Sequence, residues 1–347
     1  MNEKIKVFEA FAGIGTQRMA LRNLGIEHEV VGISEIDKYA IRSYEAIHGE
    51  TMNFGDISKI NPNELPDFDL FTYSFPCQDL SVAGKQQGMV KGQTRSGLLY
   101  ECEKIIETKR PKYLLLENVK QLVGKKFYPQ FQVWLDYLES LGYTNYWEVL
   151  NAKDFNVPQN RERVFVVSIL GEHTPYKFPK LTTLNRFVTD FLESQIEFRH
   201  QFPIDKVEKI ILPFLQKERL TNLIPYETNE GYKIDVLLGS TQKNAYIGNG
   251  TIIPTLTSAM GTGGGHVPMI GSIGFSCDSI HEDYFLPSIS QLRRLSPKEC
   301  WRLMGFLDED YEKASQVVSQ SQLYKQAGNA IVVPVLEMIF KNLFIEG

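Results

Sequence analysis

The sequence contains few of the residues that build metal sites and disulfide frameworks. Its 347 residues include 4 cysteines and 6 histidines. No two cysteines have the Cys-x-x-Cys spacing and no histidine pair has the His-Glu-x-x-His spacing, so neither a zinc site nor a set of disulfides is expected. The cysteines are therefore predicted to be reduced thiols, at Cys77, Cys102, Cys277 and Cys300.

The chain also lacks long apolar runs and an excess of positive charge. No run approaches the roughly 18 to 20 apolar residues of a membrane span, and the charged start Met1-Asn2-Glu3-Lys4 is unlike a signal peptide. We therefore expect a cytoplasmic protein without membrane association. A net charge of −5 argues weakly against nucleic acid as a partner, because phosphate binding needs a basic face. Local basic clusters such as Lys85, Lys91 and Arg95 weaken that argument, although one such cluster is usually a solvated face.

Hydrophobic residues make up 43% of the chain, enough for a real core. From residue 5 to about residue 170, short β-rich runs alternate with amphipathic helical stretches. This alternation predicts an α/β, Rossmann-like, doubly wound and mostly parallel sheet that is covered on both faces. The predicted strands are 5–10, 30–34, 70–74, 113–116, 146–150 and 164–169. The predicted helices are 16–23, 38–48, 97–109 and 130–141.

The regular alternation ends after Pro179. Residues 239–274 are rich in Gly, Thr and Ser and are interrupted by apolar segments, which favours a second, smaller, loop-rich domain over a plain linker. The amphipathic stretch 332–344 is predicted to be a helix that packs back on the first domain, because an isolated helix of about 12 residues is marginal in water. We expect residues 1–180 and 323–347 to form the first domain and residues 181–322 the second.

A glycine-rich turn, Ala12-Gly13-Ile14-Gly15-Thr16, follows the first predicted strand. Rossmann-like folds use such a turn to approach a nucleotide, and a carboxylate about 20 residues further on to hold ribose hydroxyls. Glu35 occupies that later position, and Asp56 ends the next segment. Arg18 stands where a dinucleotide site needs its third glycine. An adenosine cofactor without phosphates, such as S-adenosylmethionine, therefore fits this turn better than a dinucleotide.

The segment Phe75-Pro76-Cys77-Gln78 directly follows a predicted strand. A lone cysteine is more often a small buried hydrophobe than a reactive group. Here Pro76 cannot extend a central strand and polar residues follow, so Cys77 is expected in a loop. Because open α/β sheets bind ligands at the carboxyl ends of their strands, Cys77 is a candidate nucleophile.

Two further segments place charged groups at strand ends. Glu117 ends an apolar strand, where burial would raise its pKa and make it a proton donor or a partner for a ring nitrogen. Arg161 and Arg163 precede the strand 164–169. The alternative for these arginines is a surface ion-pair network.

Five segments, taken in order along nearly the whole chain, resemble the signatures of the DNA (cytosine-5) methyltransferase family of bacterial and phage restriction-modification systems. They are Phe11-Ala12-Gly13-Ile14-Gly15, Phe75-Pro76-Cys77-Gln78, Glu117-Asn118-Val119, Gln159-Asn160-Arg161-Glu162-Arg163 and Gly328-Asn329-Ala330. The family usually carries a serine where Ala330 stands, which removes one hydroxyl and leaves the implied role of Asn329 intact.

The resemblance implies S-adenosyl-L-methionine as cofactor, S-adenosyl-L-homocysteine as product, and no metal. It also implies that Cys77 attacks carbon 6 of a flipped-out cytosine, while Glu117 binds or protonates N3 and Arg163 holds O2. The implied cofactor contacts lie in the loops after the strands and near the end of the chain. They are Phe11, Ala12, Gly13, Ile14, Gly15, Glu35, Ile36, Asp56, Ile57, Pro76, Leu99, Asn329 and Ala330.

The implied partner is double-stranded DNA, read by the second domain as a target-recognition domain. The expected DNA contacts are Gln78, Ser81, Lys85, Arg95, Arg161, Thr241, Gln242, Lys243 and Thr255. We expect a monomer at the nucleoid, with a cognate restriction endonuclease as a functional partner.

Two alternatives to this function stay open. An RNA (tRNA) cytosine-5 methyltransferase on the same fold is disfavoured by Phe75, because relatives that methylate tRNA tend to carry another residue before the Pro-Cys pair. A catalytically inert DNA-binding relative is disfavoured because Cys77, Glu117 and Arg163 are all present.

Overall fold

The computed structural model describes residues 4–76, 95–195, 226–228, 231–238, 247–248, 251–262, 266–275 and 287–346. The strands are numbered here in chain order. Those of the first half are β1 (Ile5–Ala10), β2 (His28–Ser34), β3 (Leu70–Tyr73), β4 (Tyr113–Val119), β5 (Tyr143–Asn151), β6 (Gln159–Asn160) and β7 (Glu162–Leu170). Those of the second half are β8 (Tyr226–Thr228), β9 (Gly231–Leu238), β10 (Ile247–Gly248), β11 (Ile253–Pro254), β12 (Met269–Phe275) and β13 (Pro287–Arg294).

Helices connect and cover these strands. The first four are α1 (Thr16–Asn23), α2 (Lys38–His48), α3 (Leu99–Lys109) and α4 (Tyr128–Ser140). The last four are α5 (Pro297–Arg302), α6 (Asp308–Ser315), α7 (Gln320–Asn329) and α8 (Val333–Phe344). The predicted bounds of β1, α1 and α2 are confirmed, and the other predicted elements of the first half shift by a few residues at their ends.

A six-stranded sheet in the order β2-β1-β3-β4-β7-β5 forms the centre of the molecule. Neighbouring strands from β2 to β4 run parallel, whereas β7 runs antiparallel to both β4 and β5. The chain leaves β1 for β2 on one side and returns to β3 on the other. This reversal opens a crevice at the carboxyl ends of β1 and β3, the place where open α/β sheets bind ligands.

Alternate residues along each central strand face opposite sides of the sheet, and both sides are buried. Val7 and Leu115 join one apolar cluster with helix α8, while Phe8 and Leu114 join another with helices α3 and α4. A parallel sheet is stable only when both faces are covered in this way. The predicted doubly wound, mostly parallel fold is confirmed.

The second half contains a smaller antiparallel sheet in the order β10-β9-β12-β13, with β8 paired to β9. The boundary predicted at residues 181–322 stays a prediction. Leu295 and Trp301 belong to the same buried cluster as Val7, and these contacts favour a return to the first domain before residue 323.

Membrane-spanning potential is small in the part of the chain that the structure describes. No single helix there is long and apolar enough to cross a bilayer; α7 and α8, bent by 41°, meet that length and composition only as a pair.

Candidate active site

The glycine-rich turn after β1 has an unusual backbone. Phe11, Gly13 and Gly15 have φ values of 56°, 57° and 77°, in the left-handed region that glycine enters without strain. A Cβ on Gly15 would overlap the rings of Tyr44 and His48. The glycine therefore permits both the reversal of the chain and the close approach of α1 to α2.

Glu35 joins the loops that follow β1 and β2. Its Oε2 accepts the Gly13 N–H at 2.8 Å, and its Oε1 accepts the N–H groups of Ile36 and Asp37, each at 2.8 Å. Carboxylate oxygens accept more than one hydrogen bond each, so ligand hydroxyls can also be bound there. Ile36 is 74% exposed beside this carboxylate and offers an apolar surface.

Asp56 lies on the next loop, at the start of a short 3₁₀ turn. Its Oδ1 accepts from the hydroxyl and the N–H of Ser58 at 2.8 and 3.0 Å, and these bonds hold the pKa of Asp56 below its usual value. The carboxylate is therefore ionised and able to accept from an amino group. Ile57, the next residue, is buried.

Asn53 is a residue of this region that sequence reasoning missed. Its Oδ1 accepts the N–H groups of Glu35 and Gly55 at 3.2 and 3.0 Å, and its Nδ2 donates to the Glu35 carbonyl at 3.0 Å. Asn53 thus fixes the loops of Glu35 and Asp56 relative to each other. The short Asn-x-Gly spacing, typical of a turn, was the available signal.

The segment that leads to the predicted nucleophile is anchored to β4. Phe75 is buried, and its carbonyl accepts from Asn118 Nδ2 at 3.1 Å. Pro76 is half-buried. The predicted residues Cys77, Gln78, Ser81 and Lys85 lie outside the described residues, and only the backbone of Arg95 is described.

Glu117 and Arg163 form an ion pair at the end of β4, with 3.2 Å between Oε1 and Nε. Burial raises the pKa of Glu117, and the guanidinium of Arg163 opposes that rise. Because β7 is antiparallel to β4, Arg163 at its beginning is in register with Val119 at the carboxyl end of β4. A nearly buried carboxyl beside a guanidinium can bind a ring nitrogen and a neighbouring carbonyl oxygen together.

The remaining predicted cofactor residues lie at the ends of α3 and α7. Leu99 begins α3 and is buried. Asn329 ends α7 and is exposed, while Ala330 beside it is buried. A Cβ on Gly328 would overlap the backbone of Thr257 and Ser258, so this turn lies directly against the Thr255 segment.

The structure corrects the expectation that Arg161 contacts DNA phosphates. Its side chain is 4% exposed. Its guanidinium donates to the carbonyl oxygens of Leu256 and Ala330, both at 2.7 Å, and of Gly328 at 3.1 Å. A phosphate contact needs an accessible guanidinium, whereas this one is enclosed by backbone carbonyls.

Thr255 is the one predicted reader of DNA whose side chain the structure describes. It is half-exposed, and its hydroxyl donates to the Asn160 carbonyl at 2.6 Å. Thr241, Gln242 and Lys243 lie outside the described residues.

Two other thiols are unsuited to nucleophilic attack. Cys102 and Cys300 are fully buried, and burial raises their pKa values well above the usual range. Cys277 lies outside the described residues. Over the described ranges, no group of three or more His, Cys, Asp or Glu side chains is arranged to hold a metal ion.

A doubly wound sheet with a glycine-rich turn and a ribose-type carboxylate at its switch point defines a Rossmann-like enzyme of the S-adenosylmethionine-dependent methyltransferase class. The chain belongs to the C-5 cytosine-specific DNA methylase family, whose model matches residues 5–345. It is therefore an enzyme that methylates carbon 5 of cytosine in DNA, and S-adenosylmethionine is the methyl donor that this family implies.

Individual relatives are similar over their whole length. The chain is 39% identical to the type II methyltransferase M2.ScrFI of Lactococcus lactis subsp. cremoris, over 98% of this chain and 99% of that protein. It is 33% identical to the orphan methyltransferase M.SPBetaI of Bacillus phage SPbeta, with 98% and 97% covered. The crystal structure of S. pombe Dnmt2 methyltransferase matches with a TM-score of 0.68, at 19% identity and 99% coverage of both chains. At that identity the likeness shows the fold alone.

Proposed function

We propose that the enzyme is sequence-specific and acts on a flipped-out cytosine in duplex DNA through a covalent adduct with Cys77. The observation that supports this best is the ion pair between Glu117 and Arg163. The residue next to Glu117, Asn118, also binds the carbonyl of Phe75, two residues before Cys77. A nucleophile in that loop and the Glu117–Arg163 pair would then meet at one edge of the sheet.

The chemistry requires activation of the base. Carbon 5 of cytosine is a poor nucleophile until the Cys77 thiolate adds to carbon 6 and gives an enamine. Glu117 with its raised pKa stabilises the charge that develops on N3, and Arg163 holds O2. After methyl transfer a base removes the carbon 5 proton, the double bond re-forms and the thiolate leaves. Carbon 6 is accessible only from the face of the ring, which requires extrusion of the base from the duplex.

The residues of the crevice fit an adenosine cofactor. Glu35 would accept from ribose hydroxyls, ionised Asp56 would accept from the adenine amino group, and exposed Ile36 would contact the adenine ring. The left-handed turn 11–15 allows the backbone to approach the ligand closely. When bound, S-adenosylmethionine supplies an electrophilic methyl group on a sulfonium. The proposed reaction needs no metal.

The wider biological assignments belong to the same proposal. Similarity to a type II methyltransferase supports a role in restriction-modification, with a cognate endonuclease as a functional partner. We propose a monomer in the cytoplasm at the nucleoid, without membrane association. Its DNA contacts would come from residues 78–95 and from the region 181–322, including Thr255.

Transfer of a labelled methyl group from S-adenosylmethionine to duplex DNA and to tRNA tests this function. We expect incorporation into duplex DNA at one short sequence, mapped by bisulfite sequencing, and none into tRNA. The Cys77→Ala variant, purified in parallel, controls for contaminating activity. Incorporation into tRNA alone would support the RNA alternative and contradict the proposal.

A further inference from the structure

The active-site segment 158–161 is paired with a segment from the second half of the chain. Strands β6 and β11 run parallel, with Ile253 opposite Gln159 and Pro254 opposite Asn160. The Ile253 N–H donates to the Pro158 carbonyl at 2.9 Å. We call residues 158–161 and 253–256 together the β6–β11 ribbon.

Side chains fix this ribbon on both sides of Leu256. The buried side chain of Gln159 accepts the Leu256 N–H at 3.1 Å. Arg161 Nη1 donates to the Leu256 carbonyl at 2.7 Å, and the Thr255 hydroxyl donates to the Asn160 carbonyl at 2.6 Å. Neither peptide group of Leu256 can move without breaking a buried hydrogen bond.

The same guanidinium also binds the turn around Asn329. Arg161 Nη2 donates to the carbonyl oxygens of Ala330 and Gly328 at 2.7 and 3.1 Å, the residues on either side of Asn329. Gly328 leaves no room for a Cβ against Thr257 and Ser258. One buried cation therefore joins the ribbon and the Asn329 turn where their backbones already touch.

Arginine is suited to this double role. Its planar guanidinium has five N–H donors in a rigid arrangement, whereas lysine has a compact ammonium on a flexible stem. Hydrogen bonds from a charged donor are about twice as strong as neutral ones. If the ribbon and the turn moved apart, a buried charge would lose its partners, which is strongly unfavourable. The two segments are therefore expected to move together.

We propose that Arg161 is a positioning residue that couples cofactor binding at the Asn329 turn to DNA binding at Thr255. This inference rests on the proposed function for the assignment of those two sides. A ligand that favours one position of residues 328–330 favours, through Arg161, one position of Leu256 and Thr255. Thermodynamic linkage requires the effect to be equal in both directions.

The test measures this coupling directly. Isothermal titration calorimetry gives the affinity of the full chain for S-adenosylhomocysteine, which cannot react, with and without a saturating duplex that contains the site mapped by bisulfite sequencing. The ratio of the two dissociation constants is the coupling factor. For the wild type we expect a factor within the usual range of about 5- to 150-fold, and the same factor for DNA affinity with and without S-adenosylhomocysteine.

In Arg161→Lys the coupling factor is expected to fall toward 1, while S-adenosylhomocysteine still binds in the absence of DNA. The matched control is Arg302→Lys. Arg302 also donates to two backbone carbonyls, those of Phe191 and Leu192, and pairs with Asp308, but it contacts neither the ribbon nor the turn. Its replacement should leave the coupling factor unchanged.

A wild-type coupling factor in a folded Arg161→Lys variant would overturn the proposal. If that variant does not fold, as judged by its thermal transition, Thr255→Val takes its place, since it removes only the half-exposed bond to Asn160. That variant should lower the factor by a smaller amount, and an unchanged factor would again overturn the inference. Wild-type enzyme that methylates DNA with a factor of 1 contradicts this inference alone, whereas wild-type enzyme without methyl transfer contradicts the proposed function.

Discussion

At the scale of single residues, Glu117 experiences two opposing influences. Burial raises its pKa, and the guanidinium of Arg163 lowers it. The result is a carboxyl group that can hold a proton more readily than an exposed glutamate and is kept in place by a charged neighbour. Such a group is suited to stabilising charge on a ring nitrogen.

Replacement of Glu117 by Gln should slow methyl transfer by roughly 10²- to 10⁴-fold, because the amide retains the shape but cannot exchange a proton. Affinity for S-adenosylhomocysteine should remain near that of the wild type. Single-turnover kinetics and calorimetric titration measure the two quantities separately. If affinity fell as much as the rate, Glu117 would belong to the cofactor site instead.

Cys77 should form a stable adduct with duplex DNA that carries 5-fluorocytosine at the target, because fluorine cannot leave as a proton does. A denaturing gel should show the adduct for the wild type and for Cys102→Ala, which removes a buried thiol with a raised pKa. Cys77→Ala should show none. A persistent adduct in Cys77→Ala would assign the nucleophile to another residue.

Glu9 is a buried carboxyl behind the glycine-rich turn. The Tyr44 hydroxyl donates to its Oε2 at 2.6 Å and the Arg18 N–H to its Oε1 at 3.2 Å. Burial nevertheless raises the pKa of Glu9 from 4.5 to about 7. The folded protein therefore binds this proton more tightly than the unfolded chain, so the stabilisation is complete below pH 4.5 and is lost as the pH rises to about 7.

The stability of the wild type should thus fall between pH 5 and pH 8 by about 2 kcal/mol more than that of Glu9→Gln, whose side chain does not titrate. Urea denaturation of both proteins at the two pH values gives the free energies of unfolding. Parallel pH profiles would show that Glu9 has the same proton affinity in the folded and unfolded states.

At the scale of secondary structure elements, the ends of β1 and β2 are joined by one side chain. Glu35 accepts from backbone N–H groups on both following loops. The carboxylate is therefore part of the loop structure as well as a candidate ribose contact. Removing it should affect cofactor binding through both roles.

Glu35→Ala should weaken the binding of S-adenosylhomocysteine, by at least the factor of about 10 that one charged hydrogen bond represents. Glu29→Ala is the matched control, because Glu29 lies exposed on the same strand, β2, before its carboxyl end. Calorimetric titration of the two variants should separate them clearly. Equal affinities in wild type and Glu35→Ala would remove Glu35 from the cofactor site.

The segment from Gln159 to Arg163 shows how an extended chain distributes one motif. Gln159 and Arg161 are buried, Asn160 and Glu162 are exposed, and Arg163 is half-buried, which follows the period of two in extended backbone. Three side chains on one side thereby reach Leu256, Ala330 and Glu117. This element connects the ribbon to the catalytic ion pair.

At the scale of the whole molecule, one buried cluster includes Val7 of β1, Ile253 of β11, Trp301 of α5 and Phe340 of α8. Residues far apart in the sequence thus share a core with the central sheet. This packing holds the region after β11 against the active site, and target reading is left to the polar loops that the sequence predicts at residues 239–248.

Gln242→Ala or Lys243→Ala should therefore relax or abolish the choice of target without changing affinity for S-adenosylhomocysteine, because Gln pairs with adenine and Lys with guanine in the major groove. Bisulfite maps of DNA from cells that express each variant report both the site and the extent of methylation. Maps identical to that of the wild type would assign recognition to other residues of the second half.

The amino-acid sequence by itself determined the elements of the first half and the identity of most candidate site residues. The bounds of β1, α1 and α2 follow from local periodicity and turn residues, and motif order predicted the family before any contact was known. These features depend on neighbours within a few residues, so the chain records them directly.

Only the tertiary structure decided how distant residues meet. Nothing in the local pattern distinguishes Arg161, which is enclosed by three carbonyls, from Arg163, which pairs with Glu117. The antiparallel direction of β7 brings Arg163 to the end of β4, and Asn118 connects β4 to Phe75. Strand direction and burial depend on pairing across the whole fold, because an arginine has the same local sequence signal whether water or backbone carbonyls surround it.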